Sequence, residues 1–201
     1  MLVLSDAEVL EQFAWLAKLP DRAADYAHCD AKGFFFIHPE ANCIDIEYPE
    51  KLERISFLTR LLATIGYETR DFEGALLWFT EWGVWNRSDE GVGYRVVEAM
   101  NASVGQPKAF EAGPGHLFRA DELTEAVGML LQPMIFGWDA SYLPRWSYGT
   151  GEFFLHISHD SFVSVVTRTK VLYETVFGLL ESADLRPKAG HESQLRRFCR
   201  V

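Results

Sequence analysis

The amino-acid sequence predicts one α+β domain in which a mainly antiparallel sheet is covered by about five helices. Residues 43–48 alternate between apolar and acidic side chains, which is typical of a strand with one face in water. Residues 52–65 carry apolar side chains at helical spacing. Residues 135–167 contain three successive runs with strand character. These observations predict an N-terminal hairpin, a C-terminal three-stranded meander and helices between and beside them.

The first part of the chain predicts two helices and the hairpin. Ser5 and Glu8 form a capping-box pattern, in which each side chain pairs with the backbone N–H of the other residue, so a helix begins at Ser5. Pro20 ends that helix, and residues 21–31 predict a short second one. The two hairpin strands cover residues 34–37 and 43–48.

The middle of the chain predicts a helix, a strand and another helix. Pro49 suits the first turn of a helix, and Gly66 suits its C-terminal cap. Residues 75–85 are rich in aromatic and β-branched side chains and predict a strand. Ser88 caps the helix that follows, and residues 108–118 predict a loop. The side chains expected to face the core from these two helices are Leu52, Ile55, Leu58, Leu62, Ile65, Val92, Val96 and Met100.

The C-terminal part predicts a helix, the meander, a final helix and a tail. The helix begins at Asp121 and ends at Pro133, because proline cannot continue the backbone hydrogen bonds of a helix. We predict one domain over residues 1–184 and a basic, polar tail over residues 185–201. The meander strands cover residues 135–143, 152–158 and 161–167, and the final helix covers residues 169–182.

Composition and charge exclude some classes of function. The formal net charge is −10, so neither nucleic acid nor an anionic membrane surface is an expected partner, whereas a basic protein suits the charge. Three widely spaced cysteines, no signal-peptide pattern and no apolar stretch of about 18 residues predict a cytoplasmic protein. One acidic face is either solvated or a docking patch for a basic partner; it consists of Asp45, Glu47, Glu50 and Glu53.

The densest polar chemistry lies at His156, His159 and Asp160. Two imidazoles and a carboxylate can bind a divalent ion or act as general acid and base. Positions three apart on a strand point to opposite faces, so the two histidines converge only if a turn bends the second one back. Asp139 can join them if its strand pairs with residues 152–158. The alternative interpretation is that His159 and Asp160 form a tight hairpin turn and nothing more.

The aromatic segment that connects the first two meander strands is a candidate binding surface. Tyrosine, tryptophan and arginine are enriched at the energetic centres of interfaces. Connecting segments also carry function more often than strands do. The residues predicted to bind are Tyr142, Arg145, Trp146 and Tyr148, although for Tyr142 the pattern favours a core position, since strand aromatics are usually packed.

No motif predicts a cofactor. The segment Gly113–Gly115 lacks the lysine and hydroxyl residue of a phosphate-binding loop. The segment Gly91–Gly93 lacks the third glycine of a dinucleotide-binding turn. It lies inside a predicted helix, where a close packing contact explains the two glycines. We therefore expect no cofactor and assign no metal ligands.

The function predicted from these features is binding. In size, acidity and aromatic strands the chain is similar to small α+β proteins of bacteria, including immunity-type proteins that neutralise toxins. That similarity implies a non-catalytic interaction protein. The alternative is a small hydrolase, either metal-dependent or based on histidine and aspartate, centred on His156, His159 and Asp160.

Overall fold

The computed structural model describes residues 1–12, 42–47, 53–66, 72–81, 90–146, 149–150, 153–159, 161–167 and 170–185. Five α-helices and eight β-strands lie within these ranges. None of those helices combines the length and the apolar character that crossing a membrane requires. The helices are α1 (Asp6–Gln12), α2 (Arg54–Gly66), α3 (Glu90–Ser103), α4 (Leu123–Phe136) and α5 (Lys170–Ser182). The strands are β1 (Leu2–Leu4), β2 (Asn42–Glu47), β3 (Phe72–Glu81), β4 (Gly115–Arg119), β5 (Asp139–Trp146), β6 (Gly149–Thr150), β7 (Phe153–Ser158) and β8 (Phe162–Thr167).

The strands form one antiparallel sheet in the order β1-β4-β3-β5-β7-β8-β2, and β6 pairs with the end of β5. The predicted α+β class is confirmed, and so is the meander, because β5, β7 and β8 lie side by side. The second strand of the predicted N-terminal hairpin is β2, and it pairs with β8. Its predicted hairpin partner, residues 34–37, lies outside the described residues.

Strands β1 and β4 extend the sheet beyond β3, and neither of them was predicted as a strand. Residues 115–118 were expected in a loop, but Leu117 pairs with Leu76 of β3 and with Leu2 of β1. A strand of three residues, such as β1, is too short to show a two-residue period. These strands are defined by their neighbours and not by their own pattern.

The exit from α4 corrects two predicted boundaries. The helix continues through Pro133 to Phe136, since one proline removes only one backbone donor. Gly137 then adopts the left-handed conformation, with a φ of 67°, and its N–H donates to the carbonyl of Pro133. The predicted first meander strand, residues 135–143, therefore begins later: β5 starts at Asp139 and runs to Trp146.

Four helices cover one face of the sheet in the order α5, α2, α4, α3. Side chains alternate along each strand, so every second residue of the central strands points into this layer. Each such aliphatic or aromatic side chain contributes about 1.5–3 kcal/mol when fully buried. The buried residues of this face include Leu77, Phe79, Ala140, Tyr142, Leu155, Ile157, Val163 and Val165, which pack against Leu58, Leu61, Met129 and Leu130 of the helices.

Helix α1 packs on the opposite face of the sheet. The predicted capping box is confirmed: Ser5 N–H donates to Glu8 Oε2 over 2.7 Å, and Glu8 N–H donates to Ser5 Oγ over 3.3 Å. The indole Nε1 of Trp78 donates to Asp6 Oδ1 over 2.9 Å, which ties the first turn of α1 to the centre of β3. Val9 is fully buried on the same side.

Side chains close the outer edge of β1. Val3 N–H donates to Gln106 Oε1 over 2.8 Å, and Lys108 Nζ donates to the Val3 carbonyl over 2.8 Å. An edge strand with open backbone groups invites pairing with another chain. The segment after α3 therefore satisfies the edge without adding a strand.

The end of the described chain belongs to the core. Leu185 was assigned to the tail, but its N–H donates to the Leu180 carbonyl over 2.8 Å and its side chain is buried in the main cluster. The domain therefore includes Leu185, and the rest of the predicted tail, residues 186–201, lies outside the described residues.

Candidate functional site

Asp139 and His159 meet where β5 begins and β7 ends. Ala140 pairs with Ile157, so the residue before Ala140 lies beside the turn that follows β7. Asp139 Oδ1 accepts the backbone N–H of His159 over 2.7 Å and lies 2.8 Å from His159 Nδ1. A carboxylate only accepts, so Nδ1 carries the proton and donates it. This hydrogen bond fixes the orientation of the His159 ring and its tautomer, in which the proton is on Nδ1 and not on Nε2 while the ring is neutral.

The turn between β7 and β8 brings His159 back toward Asp139. Ser158 pairs with Phe162, and the Ser161 N–H donates to the Ser158 carbonyl over 3.2 Å. Ser161 has a φ of 68°, which is the left-handed position of a three-residue hairpin loop. The tight turn expected at His159 and Asp160 is thus one residue longer. Strand alternation stops at this loop, so His159 and His156 approach the same carboxylate.

His156 approaches Asp139 from the adjacent strand. Its Nε2 lies 3.9 Å from Asp139 Oδ2, which is longer than a hydrogen bond. The three side chains differ in access: that of His156 is 6% exposed, that of Asp139 is 14% exposed and that of His159 is 28% exposed. One carboxylate therefore lies between two imidazoles, and only His159 is substantially open to solvent.

The Asp139 carboxyl group is held in its charged form. Burial alone would raise the pKa of this group, but the hydrogen bonds from His159 and the charges of His156 and His159 outweigh burial. The pKa of Asp139 is lowered from its ordinary value of 3.8 as a result. The site carries a fixed negative charge at neutral pH.

Buried hydroxyl groups surround His156 on the same face of the sheet. Ser141 and Ser164 pair with His156 from the strands on either side, and both are fully buried. Ser158 is also buried. A nucleophile must reach its substrate, so these serines do not complete a hydrolytic triad with Asp139 in this conformation.

The third member of the predicted polar motif, Asp160, lies outside the described residues. Within the described ranges, no group of three or more His, Cys, Asp or Glu side chains is arranged to hold a metal ion. The described geometry of Asp139 and His159 is that of a carboxylate hydrogen-bonded to an imidazole.

Tyr142 does not belong to the predicted aromatic binding surface, because its side chain is not exposed. Tyr142 is buried in the core, and burial raises the pKa of its hydroxyl group. Arg145 and Trp146 belong to β5 and pair with Thr150 and Gly149 of β6, so this part of the predicted connection is a hairpin. Their side chains and the whole of Tyr148 lie outside the described part of the protein.

The two predicted groups of site residues lie at opposite ends of one strand. Asp139 is the first residue of β5 and Trp146 is the last. Seven residue steps of about 3.3 Å separate them by about 23 Å. We call the two regions the Asp139 end and the Trp146 end of the sheet.

The chain matches no protein-family model, no curated protein and no solved structure. No relative therefore assigns a role to Asp139, His156 or His159. The function has to be inferred from the chemistry and the shape of the two ends.

Three exposed aliphatic side chains lie on helices near the Asp139 end, and the sequence analysis predicted none of them to be exposed. Ile55, Val92 and Ile135 are each more than half exposed. Ile55 and Val92 were expected in the core, because both continue an apolar stripe at helical spacing. Ile135 was expected in a strand. Helical spacing identifies a face of a helix, but it does not show where the layer beneath that helix stops.

Contacts between neighbouring residues place the three side chains at this end. The guanidinium of Arg54 donates to the carbonyl of Met134, which joins the start of α2 to the end of α4. A Cβ on Gly93 would lie 2.6 Å from the Trp138 ring, so the start of α3 lies against the exit from α4. Each exposed side chain is next in sequence to one of these contact residues, and Trp138 directly precedes Asp139.

Acidic side chains accompany the apolar ones. Glu47, the last residue of β2, pairs with Phe162 directly after the β7–β8 turn, and it is exposed. Glu53, at the entrance to α2, is also exposed. Of the predicted acidic face, the Asp45 side chain and all of Glu50 lie outside the described residues. The Asp139 end thus combines exposed aliphatic groups with carboxylates.

Proposed function

We propose that this protein is a non-catalytic binding protein, of the kind represented by immunity-type proteins, and that its partner is a basic protein. The observation that carries the proposal is the exposure of Ile55, Val92 and Ile135, which lie on three different helices near the Asp139 end. We take that end as the main contact surface. The proposed location is the cytoplasm, since the three cysteines are widely spaced and suit a reducing compartment.

The apolar part of the argument depends on clustering. Single exposed aliphatic side chains are normal on any protein surface and need no explanation. Three of them near one end of the molecule, drawn from separate helices, support an interaction site there, because exposed apolar groups that lie together mark such sites. The other two large exposed aliphatic residues in the described ranges are Leu2 on β1 and Val171 at the start of α5.

The charge of the partner follows from the charge of the surface. Glu47, Glu53 and Asp139 supply negative charge around the apolar groups, and the whole chain has a net charge of −10. Interfaces commonly have an apolar centre with a polar rim. Complementary charge accelerates association and excludes partners of the same sign. A protein with a basic rim around an apolar centre is the partner that suits this end.

The aromatic hairpin at the Trp146 end is proposed as a second contact region. Trp146 pairs with Gly149 on one side and Phe72 on the other, so its backbone is held within the sheet. Rigid aromatic residues lose little conformational entropy when they bind. We expect Trp146→Ala to weaken the same complex if both ends contact the partner.

The experiment captures partners from a native lysate with tagged wild-type protein and with Ile135→Glu. We expect a basic protein to bind the wild type and to be lost with Ile135→Glu, since a charge in an apolar contact is costly to desolvate. The captured protein is then purified, and its Kd for both forms is measured by calorimetry.

The matched control is Leu2→Glu, which places the same charge on an exposed aliphatic position of the edge strand β1, level with the middle of the sheet and away from both ends. We expect this variant to bind as the wild type does. Capture of no protein, of an acidic protein, or of the same protein by the wild type and by Ile135→Glu would contradict the proposal.

The second candidate function is general acid–base catalysis by His159, as part of a small hydrolase. The specific observation is the 2.8 Å hydrogen bond from His159 Nδ1 to Asp139, which fixes the tautomer of a partly exposed imidazole. Such a positioned base contributes roughly 10²–10⁴-fold to rate. This candidate requires activity on a panel of esters and amides that is abolished by His159→Gln, and equal rates for both forms exclude it.

A further inference from the structure

We infer that Asp139 is the anchor that receives a basic side chain of the partner, an arginine or a lysine, at the centre of the Asp139 end. The inference rests on the proposed function, because it names the group of the partner that the contact surface recognises. It assigns to Asp139 a role in specificity beyond holding the β7–β8 turn.

The two oxygens of the carboxylate have different surroundings. Oδ1 accepts both hydrogen bonds from His159, at 2.7 Å and 2.8 Å. Oδ2 has His156 Nε2 as its polar neighbour at 3.9 Å, beyond hydrogen-bond distance, and accepts no hydrogen bond from the described residues. One oxygen therefore positions the group, while the other keeps its acceptor capacity for a donor from outside.

A second observation points to the same place. Ser141 lies two residues along β5 from Asp139, pairs with His156 and is fully buried, and its hydroxyl group has no hydrogen-bond partner in the described part of the chain. Thr80, in the irregular pairing of β3 opposite Asp139, is in the same state. Buried hydroxyl groups without partners are rare, so the interior beside the carboxylate keeps unused hydrogen-bonding capacity, although Ser141 itself cannot be reached from outside.

The position of the carboxylate makes it a stronger receptor than the exposed glutamates. Its side chain is 14% exposed, so less water screens its charge than at Glu47 or Glu53. His159 already fixes its orientation, so little side-chain entropy is lost on binding. Hydrogen bonds between charged groups are also about twice as strong as those between neutral groups.

The chemistry of the surroundings selects an arginine or lysine side chain. The donor must carry positive charge, because Asp139 is held ionised. A partner that covers this end also meets Ile55 and Ile135 of the helical layer, while Asp139 itself points to the other face of the sheet, since its neighbour Ala140 is buried beneath the helices. Arginine and lysine combine a charged head with a long apolar stem that packs along aliphatic groups.

The first experiment uses N-acetylarginine methylamide as the probe, with N-acetylglutamine methylamide as a neutral probe of similar length. The imidazole resonances of His156 and His159 are followed by NMR while each probe is added to the full chain. We expect saturable shifts with the arginine probe at millimolar concentration and none with the glutamine probe. Equal shifts with both probes, or none with arginine, would overturn the inference without requiring any variant.

The same titration on Asp139→Asn keeps an oxygen that can accept the backbone N–H of His159 but removes the charge. We expect at least a tenfold loss of apparent affinity for the arginine probe. The matched control is Glu174→Gln, which removes an exposed carboxylate on α5 that pairs with Lys170. An undiminished response in Asp139→Asn, or an equal loss in both variants, would count against Asp139.

The two proposals fail separately. If the arginine probe binds at Asp139 but the lysate capture shows no dependence on Ile135, the anchor site stands and the proposed function falls. If capture depends on Ile135 but the purified partner binds Asp139→Asn and the wild type equally, the proposed function stands and the anchor falls. A tenfold or larger rise in Kd for Asp139→Asn supports both.

Discussion

Asp139 Oδ1 accepts two hydrogen bonds from a single residue, His159, whose backbone N–H lies 2.7 Å away and whose Nδ1 lies 2.8 Å away. The pair joins the first residue of β5 to the turn that follows β7. It holds the imidazole in one orientation and keeps the carboxyl group ionised. The site therefore connects the stability of the hairpin to the charge of the proposed contact surface.

We expect Asp139→Ala to lower the free energy of unfolding by about 2 kcal/mol at pH 7, because hydrogen bonds to charged groups contribute roughly 1.5–3 kcal/mol each and His159 is partly hydrated. The lowered pKa of Asp139 means that this stabilisation is present above 3.8 and is lost as the pH falls through the value of the folded state. Urea denaturation of both forms at pH 7 and pH 3 measures it. The difference between them should shrink at pH 3, and an unchanged difference contradicts the assignment.

His116 makes stability depend on pH in a second window. It is fully buried against Phe79 and lies 2.9 Å from Asn101 Oδ1. Burial lowers its pKa from 6.5 to about 3, although the nearby backbone of Pro114 opposes the change. The unfolded chain binds a proton that the folded protein excludes, so stability is full above pH 6.5 and falls as the pH decreases toward 3.

We expect His116→Gln to remove that dependence. Between pH 6 and pH 4, the unfolding free energy of the wild type should decline faster than that of the variant by about 1.4 kcal/mol per pH unit, the value for one proton. Denaturant titrations at half-unit intervals give both slopes. Parallel slopes would show that His116 titrates normally in the folded protein.

Gly93 is required where α3 crosses Trp138. A Cβ at this position would lie 2.6 Å from two atoms of the indole ring, closer than real contacts allow. We expect Gly93→Ala to destabilise the protein by about 1–3 kcal/mol through overpacking, although alanine is the better helix former. Thermal and urea unfolding measure the change.

Gly178 provides the matched control for Gly93. It is exposed in the middle of α5, and a Cβ there would meet no atom within 4 Å. We expect Gly178→Ala to stabilise the protein by up to about 1 kcal/mol through helix propensity alone. The steric explanation fails if both substitutions change stability in the same direction.

Ser161 and Gly137 both have a left-handed backbone conformation, so opposite substitutions at the two positions test the same effect. Ser161 has a φ of 68°, which is unfavourable for a residue with a Cβ, and Gly137 has a φ of 67° at the end of α4. We expect Ser161→Gly to stabilise by about 0.5–1 kcal/mol and Gly137→Ala to destabilise by about 1 kcal/mol. A Cβ on Gly137 would meet no atom within 4 Å, so the change in stability of Gly137→Ala reports the backbone strain alone. Equal melting temperatures for wild type and Gly137→Ala would refute it.

Local signals in the sequence were the most informative about the fold. The Ser5–Glu8 capping box is confirmed because its two partners are three residues apart and need no tertiary support. The strand predicted from residue 75 onward is also confirmed as far as Glu81, and its side chains alternate: Leu76 and Trp78 share one face while Leu77 and Phe79 point into the helical layer. The predictions at Pro133 and at residues 115–118 were wrong, because a helix tolerates one lost hydrogen bond and a short strand depends on its neighbours.

The sequence identified the residues of the candidate site, but it did not predict which of them contact each other. Asp139 and His156 were named together because antiparallel pairing of their strands would bring them close, and they lie 3.9 Å apart at their nearest polar atoms. The return of His159 to the same carboxylate depended on an extra loop residue at Ser161. Tyr142 was counted for binding, whereas the register places it among the core residues beneath the helices.

By itself, the sequence determined what short-range chemistry controls: where helices start, which strand faces are apolar and how acidic the chain is. Only the tertiary structure decided that His159 lies on Asp139, twenty residues away in the chain. It also decided that Ile55 and Ile135 are exposed at one end and not buried beneath a second layer. The physical reason is that pattern and propensity act over a few residues. Strand order and helix packing are set by the joint burial of many distant side chains.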